Sequence, residues 1–418
     1  MLMNKKKEIV PKLRFPEFGT SEGWKKYKLR ELADRITKKV GDNKLVTLSI
    51  SAGIGFVSQA EKFSRDISGK QYCNYIYLKR GEFSYNKGNS KTFPQGCIYE
   101  LKEYDEAAVP NAFISFRFKE NLVPSFYQGY FDSNFHGKQL VRFITSGARS
   151  DGLLNISPID FFSIVLPSPV KKEEQQKIAD CLSSIDELID TESRKLKALE
   201  KYKKGLMQKL FPAEGKTLPE WRFPEFQGCG EWKSKSIGKA CKMFSGGTPD
   251  TSKKEFYGGT IPFIRSAEIN KSSTELFITE EGFKNSSAKM VKKGDILIAL
   301  YGANSGEVAL SKIDGAINQA ILCLRHETNN VFVYHYFTHM KNWIISKYIQ
   351  GGQGNLSGQI IKSVNLYFPK AEEQQKIADF LSEIDTMITG QSNKVEQLKA
   401  HKKGLMQGLF PSFEEADV

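Results

Sequence analysis

The sequence predicts a protein of mixed α/β (α+β) class, with two globular domains of the same fold separated by two long helices. The chain has 418 residues, which exceeds one ordinary core and suits two domains with connecting elements. A helical block occurs twice, and each copy follows a stretch in which short apolar runs alternate with polar, glycine-containing loops. Hydrophobic residues make up 40% of the chain and charged residues 26%, as in folded globular proteins.

The duplicated block is the strongest pattern in the chain. Residues 173–212 and 372–411 are identical at 25 of 40 positions without a gap, which indicates an internal duplication. The repeated segments are EEQQKIAD (173–180 and 372–379), KKGLMQ (203–208 and 402–407) and RFPEF (14–18 and 222–226).

The repeated block predicts two long helices that form an antiparallel coiled coil. Apolar residues recur at alternating spacings of four and three, which is typical of a helix-pairing seam. The seam residues are Ile178, Leu182, Ile185, Ile189, Leu196, Leu199, Leu206, Ile377, Leu381, Ile384, Ile388, Val395, Leu398 and Leu405. Glu192 with Gln391, and Lys203 with Lys402, interrupt the seam at equivalent positions, as polar residues that fix register do. A helix packed only on its own domain is the alternative, but two equal seams in one chain favour mutual pairing.

The order of the repeats predicts a circular arrangement with pseudo-twofold symmetry. RFPEF follows the first helix, whereas for the second helix the equivalent segment stands at the N-terminus, so the two chain ends are expected to lie close together. The predicted segments are 1–18, which completes the C-terminal helical repeat, 19–165 (first domain), 166–212 (first helical region), 213–226 (linker), 227–367 (second domain), 368–412 (second helical region) and 413–418 (tail).

Both domains read as mixtures of strands and helices. Strands are predicted near Ile296–Leu300, Glu307–Leu310 and Ala320–Leu324 from their short apolar runs. One helix per domain is predicted, near Phe126–Phe143 and near Val331–Tyr348.

Composition narrows the functional classes. The chain has 61 Lys and Arg against 48 Asp and Glu, a net charge of +13 that favours polyanionic partners. No window approaches the roughly 18 apolar residues of a membrane span, so we expect a cytoplasmic protein without membrane contact. Six cysteines without a CxxC pair predict reduced thiols rather than a zinc or redox site.

The usual catalytic motifs are missing from the sequence. It contains no GxxxxGK[ST] phosphate loop, no Rossmann glycine fingerprint and no base-modification motif of the Asn-Pro-Pro-Tyr type. His335 and His339 have helical i, i+4 spacing but no third ligand nearby, so packing or exposed histidines are favoured over a metal site. We therefore predict no catalytic residue, no bound metal and no cofactor for this chain.

Polar loops between the apolar runs carry side chains suited to DNA. Amides bind adenine edges, arginine and lysine bind guanine or phosphate, and hydroxyl groups do either. The candidate DNA-binding residues are Lys87, Asn89, Ser90, Lys91, Arg149, Ser150, Ser245, Thr248, Tyr301, Asn304, Ser305, Gln353 and Asn355. An ordinary polar loop explains any single residue equally well, but as a set these loops are where the otherwise parallel domains differ.

The order of domain, helix, RFPEF linker, domain and helix resembles the specificity subunit of type I restriction-modification systems. The second domain also carries Gly246–Pro249 (GGTP), Gly259–Ile264 (GTIPFI) and Gly294–Leu297 (GDIL), which look like signatures of that family. The resemblance implies two target-recognition domains, each binding one half of a bipartite, asymmetric double-stranded DNA site.

The resemblance also implies partners. The helices would set the spacing and dock two methylation subunits that methylate adenine, and restriction and translocation subunits would join them. S-adenosylmethionine, ATP and Mg²⁺ would belong to those partners, and this chain would be non-catalytic.

Two other classes of function remain open from the sequence. A coiled-coil structural adaptor without sequence readout would not prefer one bipartite sequence, and its duplex binding would lack strong salt dependence. A self-sufficient modification enzyme or nuclease would act on DNA when supplied with S-adenosylmethionine or magnesium.

Overall fold

The structure, a computed structural model, describes residues 9–65, 67–88, 93–144, 154–302, 304–348 and 356–414. The chain divides into two compact units. The first unit consists of Met1–Thr191 and Val395–Val418, and the second unit consists of Glu192–Lys394.

The first unit contains a four-stranded antiparallel sheet and several two-stranded pairs. Its strands are β1 (Lys25–Lys28), β2 (Ala33–Arg35), β3 (Leu48–Ser51), β4 (Gly55–Ser58), β5 (Ile76–Lys79), β6 (Phe83–Asn86), β7 (Cys97–Glu100), β8 (Glu106–Val109), β9 (Ile114–Phe118) and β10 (Val165–Ser168). Its short helices are α1 (Leu29–Leu32), α2 (Gln59–Phe63), α3 (Pro124–Asp132), α4 (Phe135–Leu140) and α5 (Pro158–Phe161). The sheet order is β2-β9-β6-β7, and β1 with β10, β3 with β4 and β5 with β8 form the pairs.

Aromatic side chains fill the core of the first unit. Phe83 and Phe116, on neighbouring strands, stack with ring centroids 5.4 Å apart, and both are fully buried. Phe126, Tyr127 and Tyr130 of α3 are also fully buried against this sheet. Rings of this size bury large apolar areas, so the sheet and α3 are held together mainly by the hydrophobic effect.

The single helix predicted near Phe126–Phe143 was wrong, because the structure divides it into α3 and α4. Asn134 lies between the two helices with φ at 55°, in the left-handed region that asparagine tolerates better than most residues. A Cβ at Gly137 would lie 2.1 Å from Asn134 Oδ1, so glycine lets the Asn134 side chain lie against this turn.

The second unit stacks two four-stranded sheets. Its strands are β11 (Lys233–Ser236), β12 (Cys241–Ser245), β13 (Tyr257–Ile264), β14 (Phe277–Ile278), β15 (Lys289–Val291), β16 (Ile296–Ala299), β17 (Val308–Leu310), β18 (Gly315–Ile317), β19 (Ile321–His326) and β20 (Asn365–Phe368). Its shorter helices are α7 (Ile237–Ala240), α8 (Glu280–Lys284), α9 (Asn330–Tyr348) and α10 (Gly358–Ser363). The sheet orders are β12-β19-β16-β17 and β14-β13-β18-β15, and β11 pairs with β20.

The alternation of side chains along β16 explains the layers of the second unit. Ile296 and Ile298 belong to the apolar cluster that includes α9, whereas Leu297 and Ala299 belong to the cluster between the two sheets. Successive residues of a strand point to opposite faces, so one apolar strand serves both layers. The mixed helix and sheet architecture predicted from the sequence is confirmed.

The two long helices are α6 (Lys172–Leu210) and α11 (Ala371–Leu409), each of 39 residues and each ending before a proline. In the first unit, the Lys402 ammonium lies 2.7 Å from an Asp186 oxygen. In the second unit, the equivalent Lys203 lies 2.5 Å from Asp385. Low residue numbers of one helix meet high numbers of the other in both units, which confirms antiparallel pairing.

The polar positions of the seam also meet. Gln391 donates to the Glu192 backbone oxygen at 2.9 Å and to its carboxylate at 2.6 Å, and both residues are buried. The Lys394 ammonium contacts the same carboxylate at 2.5 Å. All fourteen apolar seam residues are buried or half-buried. Because these polar groups find partners only in one register, they select it over neighbouring ones.

The two units are closed by the same contacts. The segment containing RFPEF packs on the end of a long helix in each unit, from the N-terminus of the chain in the first unit and from the linker in the second. The matched contacts are Leu13 N to Gly408 O (2.8 Å) and Trp221 N to Lys209 O (2.9 Å), and Arg14 Nε to Glu174 Oε1 (2.8 Å) and Arg222 Nε to Glu373 Oε1 (2.7 Å).

Within the described ranges, no helix combines the length and the apolar character that a membrane span requires. All six cysteines are free thiols, and Cys97, Cys241 and Cys323 are buried.

Candidate nucleic-acid interface

In each unit, the described parts of the loops that the sequence singled out lie at one edge of the main sheet. In the second unit, β12 and β16 end at this edge and β19 and β17 begin there, because the strands are antiparallel neighbours. The register pairs Ser245 with Leu322 and Ala299 with Ile321. We call this edge, with the loops that leave it, the variable edge.

The loop after β12 crosses the variable edge in very close contact with the second sheet. A Cβ at Gly246 would lie 1.7 Å from the Ile317 backbone oxygen, and a Cβ at Gly247 would lie 1.9 Å from Ser287 Oγ. Only glycine permits this approach, so the GG pair of SGGTPDT fixes the path of the following residues.

Beyond the glycines, Thr248 is exposed, and its hydroxyl donates to Gln319 Oε1 at 2.7 Å. Gln319 lies in the turn between β18 and β19, at the same edge.

The loop after β16 folds tightly back on itself. Gly306 N donates to Ala299 O at 2.8 Å, and the Ser305 hydroxyl donates to Leu300 O at 2.9 Å. Tyr301 is half-buried, and burial raises the pKa of its phenol. Asn304 is half-buried, and its backbone oxygen accepts from Glu307 N at 2.9 Å. The structure thus brings Ser245, Thr248, Tyr301, Asn304 and Ser305 to one edge.

The first unit has the same edge, where β2 and β6 end and β9 and β7 begin. Lys87 follows β6 and is half-buried, and its backbone oxygen accepts from Leu154 N at 2.9 Å. In the second unit the matching bond joins Leu356 N to Leu300 O at 2.8 Å. In each unit, two chain segments that are distant in sequence therefore meet at the variable edge. The candidates Asn89, Ser90, Lys91, Arg149, Ser150, Gln353 and Asn355 lie outside the described residues.

Sequence reasoning missed two amides at this edge. Gln319 is exposed in the turn before β19, and Asn111 is exposed in the equivalent turn before β9 of the first unit. Their equivalence was visible in the parallel between AVPNAFISFR and AINQAILCLR, which carries an amide at the same place in both copies.

Arg265 was also missed. It directly follows β13, whose last residue, Ile264, pairs with Ile317 beside Asn318 and Gln319. Its guanidinium donates from Nε and Nη2 to the two oxygens of Glu268 at 3.0 and 2.9 Å. This ion pair holds the pKa of Glu268 down, at about 2. The side chain of Glu268 is 1% exposed and that of Arg265 is 38% exposed, so the anion is buried and the cation reaches the surface.

Buried histidines lie in both units. Burial, and to a smaller extent the nearby Lys203 ammonium, lower the pKa of His335 in α9 to about 3. Burial lowers the pKa of His136 in α4 to about 4, against a raising contribution from its contact with Gly96 O. Both rings are therefore neutral at physiological pH. Within the described ranges, no three His, Cys, Asp or Glu side chains are grouped to hold a metal ion.

Comparison with known proteins agrees with this architecture. The family model for the type I restriction modification DNA specificity domain matches twice, at residues 21–201 and 230–400. The chain belongs to this family of type I restriction-modification specificity subunits.

Two curated relatives illustrate the range of similarity. The putative type I restriction enzyme MjaX specificity subunit of Methanocaldococcus jannaschii is 28% identical over 302 residues, which cover 70% of this chain and 68% of the relative. The EcoR124I/EcoR124II specificity subunit of Escherichia coli is 30% identical over 169 residues, which cover 38% of this chain and 42% of that relative.

The fold is also similar to a solved structure. The crystal structure of a type I restriction-modification system S subunit from M. genitalium matches with a TM-score of 0.63 at 16% identity, over 97% of this chain and 100% of that chain. At this identity the match supports the shared fold.

Proposed function

We propose that the chain reads a bipartite, asymmetric DNA site, with each unit binding one half through its variable edge. We call the contacts that hold each unit together around its long helices the frame of that unit. The proposal rests on the observation that the frames of the two units match while their variable edges do not. Both units are closed by the same Arg–Glu pair and the same backbone contact, while the loops that leave the variable edge differ in sequence. Two DNA-binding domains of one fold that carry different contact residues suit two different half-sites.

The exposed groups at the variable edge have the chemistry that base edges require. Gln319 and Asn111 supply amides, Thr248 supplies a hydroxyl, and Arg265 supplies a guanidinium. Amides pair with adenine and guanidinium groups with guanine in the major groove. The net charge of +13 adds the sequence-independent attraction to phosphates on which such readout depends.

We propose that α6 and α11 set the spacing between the half-sites. Each helix has 39 residues, a length of roughly 58 Å at 1.5 Å rise, and contributes one part to each unit. Such a rod suits half-sites about one helical turn of DNA apart, roughly 34 to 36 Å.

The catalytic steps belong, in this proposal, to partner proteins. Two methylation subunits that use S-adenosylmethionine dock on the helical region and methylate adenine, which they take out of the duplex into their own pocket. Restriction and translocation subunits that use ATP and Mg²⁺ join the same assembly. A coiled-coil adaptor without readout is the competing function.

The decisive experiment maps methylated adenines across the genome in cells that express the methylation subunits with and without this chain. We expect a two-part motif with a fixed spacer that disappears when the chain is absent. Methylation without a two-part motif would contradict the proposal and favour the adaptor.

The spacing is tested in the same cells by deleting one heptad from each helix, residues 190–196 and 391–397. This removes the paired Glu192 and Gln391 together and leaves both Lys–Asp pairs in place. Seven residues correspond to about 10 Å of helix, so the spacer should shorten by about three base pairs while both half-sites stay unchanged. The control replaces the same heptads with other heptads of equal length. An unchanged spacer after the deletion would contradict the proposal that the helices set the spacing.

A further inference from the structure

Arg265 is held in the geometry of a guanine-reading arginine. Glu268 takes the side of the guanidinium formed by Nε and Nη2, with both carboxylate oxygens. The carboxylate is itself fixed, because it also accepts from the Thr274 hydroxyl and from the Glu275 backbone N–H, each at 3.1 Å. A planar fork held on one side by a buried anion loses little freedom when its other side binds a ligand.

The other side of the guanidinium, formed by Nη1 and Nη2, makes one contact among the described residues. Nη1 makes no hydrogen bond to any described residue, and the second N–H of Nη2 is taken by Glu275 at 2.7 Å. Glu275 is 74% exposed, so water solvates its carboxylate and the contact contributes little. Nη1 and Nη2 are the pair that binds the O6 and N7 acceptors of guanine end-on. Glu275 therefore occupies the place of one guanine acceptor and is easily displaced.

We propose that Arg265 is a specificity-determining residue of the second unit that binds one guanine in the major groove, with Glu268 as its positioning residue. This inference rests on the proposed function and adds a base to one half-site. Among its described residues, the first unit has no arginine at the equivalent position. Thr47 forms a parallel bridge with Ala108, just as Phe263 pairs in parallel with Ala316, so Thr47 corresponds to Phe263. Two residues further along, Arg265 therefore corresponds to Ser49, which is buried.

The chain offers a closely matched control. Arg325 donates from Nε and Nη2 to Asp295, and its side chain is 37% exposed, almost the value of Arg265. It pairs with Lys242 on β12, three residues before Ser245, at the end of the sheet opposite the variable edge. Arg265→Lys and Arg325→Lys thus break equivalent Arg–carboxylate forks in one unit, and only the first lies where DNA would be read.

The test uses the complete complex with its methylation subunits and a pool of randomised duplexes, with motif mapping in cells alongside. We expect Arg265→Lys to relax one G·C position in the half-site of the second unit, by roughly 5- to 150-fold in discrimination. Glu268→Gln should relax the same position to a smaller extent, whereas Arg325→Lys should keep the whole motif. A purely structural role for the Arg265 pair predicts uniformly weaker binding with an unchanged motif.

A measurement on the unaltered chain covers the case in which a variant fails to fold. Replacing each guanine of that half-site in turn with 7-deazaguanine removes the N7 acceptor. One replacement should weaken binding by about 10-fold or more, because a hydrogen bond to a charged donor is lost. Equal binding of every substituted duplex, a half-site without guanine, or a motif change shared with Arg325→Lys would overturn the inference. These outcomes leave a two-part motif intact, whereas failure of the proposed function abolishes that motif in the unaltered complex.

Discussion

The first and second units keep the same frame around their long helices and differ at their variable edges. In the first unit Phe410 packs on Tyr130 of α3 with ring centroids 4.7 Å apart, and in the second Phe211 packs on Tyr336 of α9 at 4.5 Å. The frame contacts involve residues of the duplicated blocks, whereas the variable edges lie in the diverged stretches. The residues that hold each unit together are therefore different from the residues that are available to bind DNA.

Both frames contain the same Arg–Glu pair, but the hydrogen bonds around that pair differ. In the first unit Glu174 accepts from Arg14 and also from the Trp24 indole at 3.0 Å. In the second unit Glu373 accepts from Arg222, while the Trp232 indole N–H has no partner among the described residues. A shared ion pair can thus be supported to different extents in two copies of one fold.

The largest effect is expected from exchanging one diverged stretch of the chain. Replacing residues 227–366 with the equivalent stretch of another family member should change one half of the methylated motif completely and leave the other half and the spacer unchanged. Methylation mapping provides the measurement. The reciprocal exchange of residues 19–165 is the control and should change the other half, whereas a change in both halves from one exchange would contradict independent reading.

The buried Arg–Glu pairs of the two units are expected to contribute unequally to stability. Arg222→Ala should destabilise the second unit by about 3–5 kcal/mol, because it leaves the Glu373 carboxylate, 1% exposed, without its partner. Arg14→Ala should cost the first unit about 1 kcal/mol less, since Trp24 still donates to Glu174. Hydrogen exchange followed by peptide in each unit measures both effects.

A surface pair provides the baseline for that measurement. Lys209 and Glu220 lie 3.8 Å apart, with side chains 58% and 73% exposed, so Lys209→Ala should cost the second unit no more than about 1 kcal/mol. Equal losses for Arg14→Ala and Arg222→Ala would show that the indole contact does not support Glu174.

A further difference between the units concerns the pH dependence of stability. His335 occupies the position at which the first unit has Gly129, as the matched packing of Phe410 and Phe211 shows. Its folded pKa of about 3 lies below the ordinary value of 6.5, so acid favours the unfolded chain, which binds the proton more readily. The stability from the neutral ring is fully present above pH 6.5 and is lost as pH falls, by about 2 kcal/mol at pH 5.

His335→Leu should remove this dependence. Both ring nitrogens lack hydrogen-bond partners among the described residues, so the variant should equal or exceed the parent in stability at pH 8. At pH 5 its advantage should grow by about 2 kcal/mol, as measured by hydrogen exchange in α9. An advantage that stays the same at both pH values would show that His335 is not the group that titrates.

Periodic patterns predicted the frame because they depend on local sequence. The seam, the helix ends before Pro212 and Pro411 and the helix α9 all follow from spacing and from residues that stop helices. The break at Asn134 did not follow, because it depends on how Asn134 and Gly137 fit together in space.

The variable edge was predicted only in part. The loops were identified by their divergence, but Arg265 was not, since Glu268 three residues away looks in sequence like any local charge pair. What distinguishes the pair is that the carboxylate is buried and the guanidinium is not, a property of the fold around β13.

The bond between Leu13 N and Gly408 O has a consequence for the gene. The first unit consists of two separate stretches of the chain, Met1–Thr191 and Val395–Val418, whereas the second unit is the single stretch Glu192–Lys394 between them. A stop codon at position 395 would spare every residue of the second unit. The same stop codon would remove Phe410, which packs on Trp24 and Tyr130. A truncation in the C-terminal helix would therefore damage the first unit and not the second.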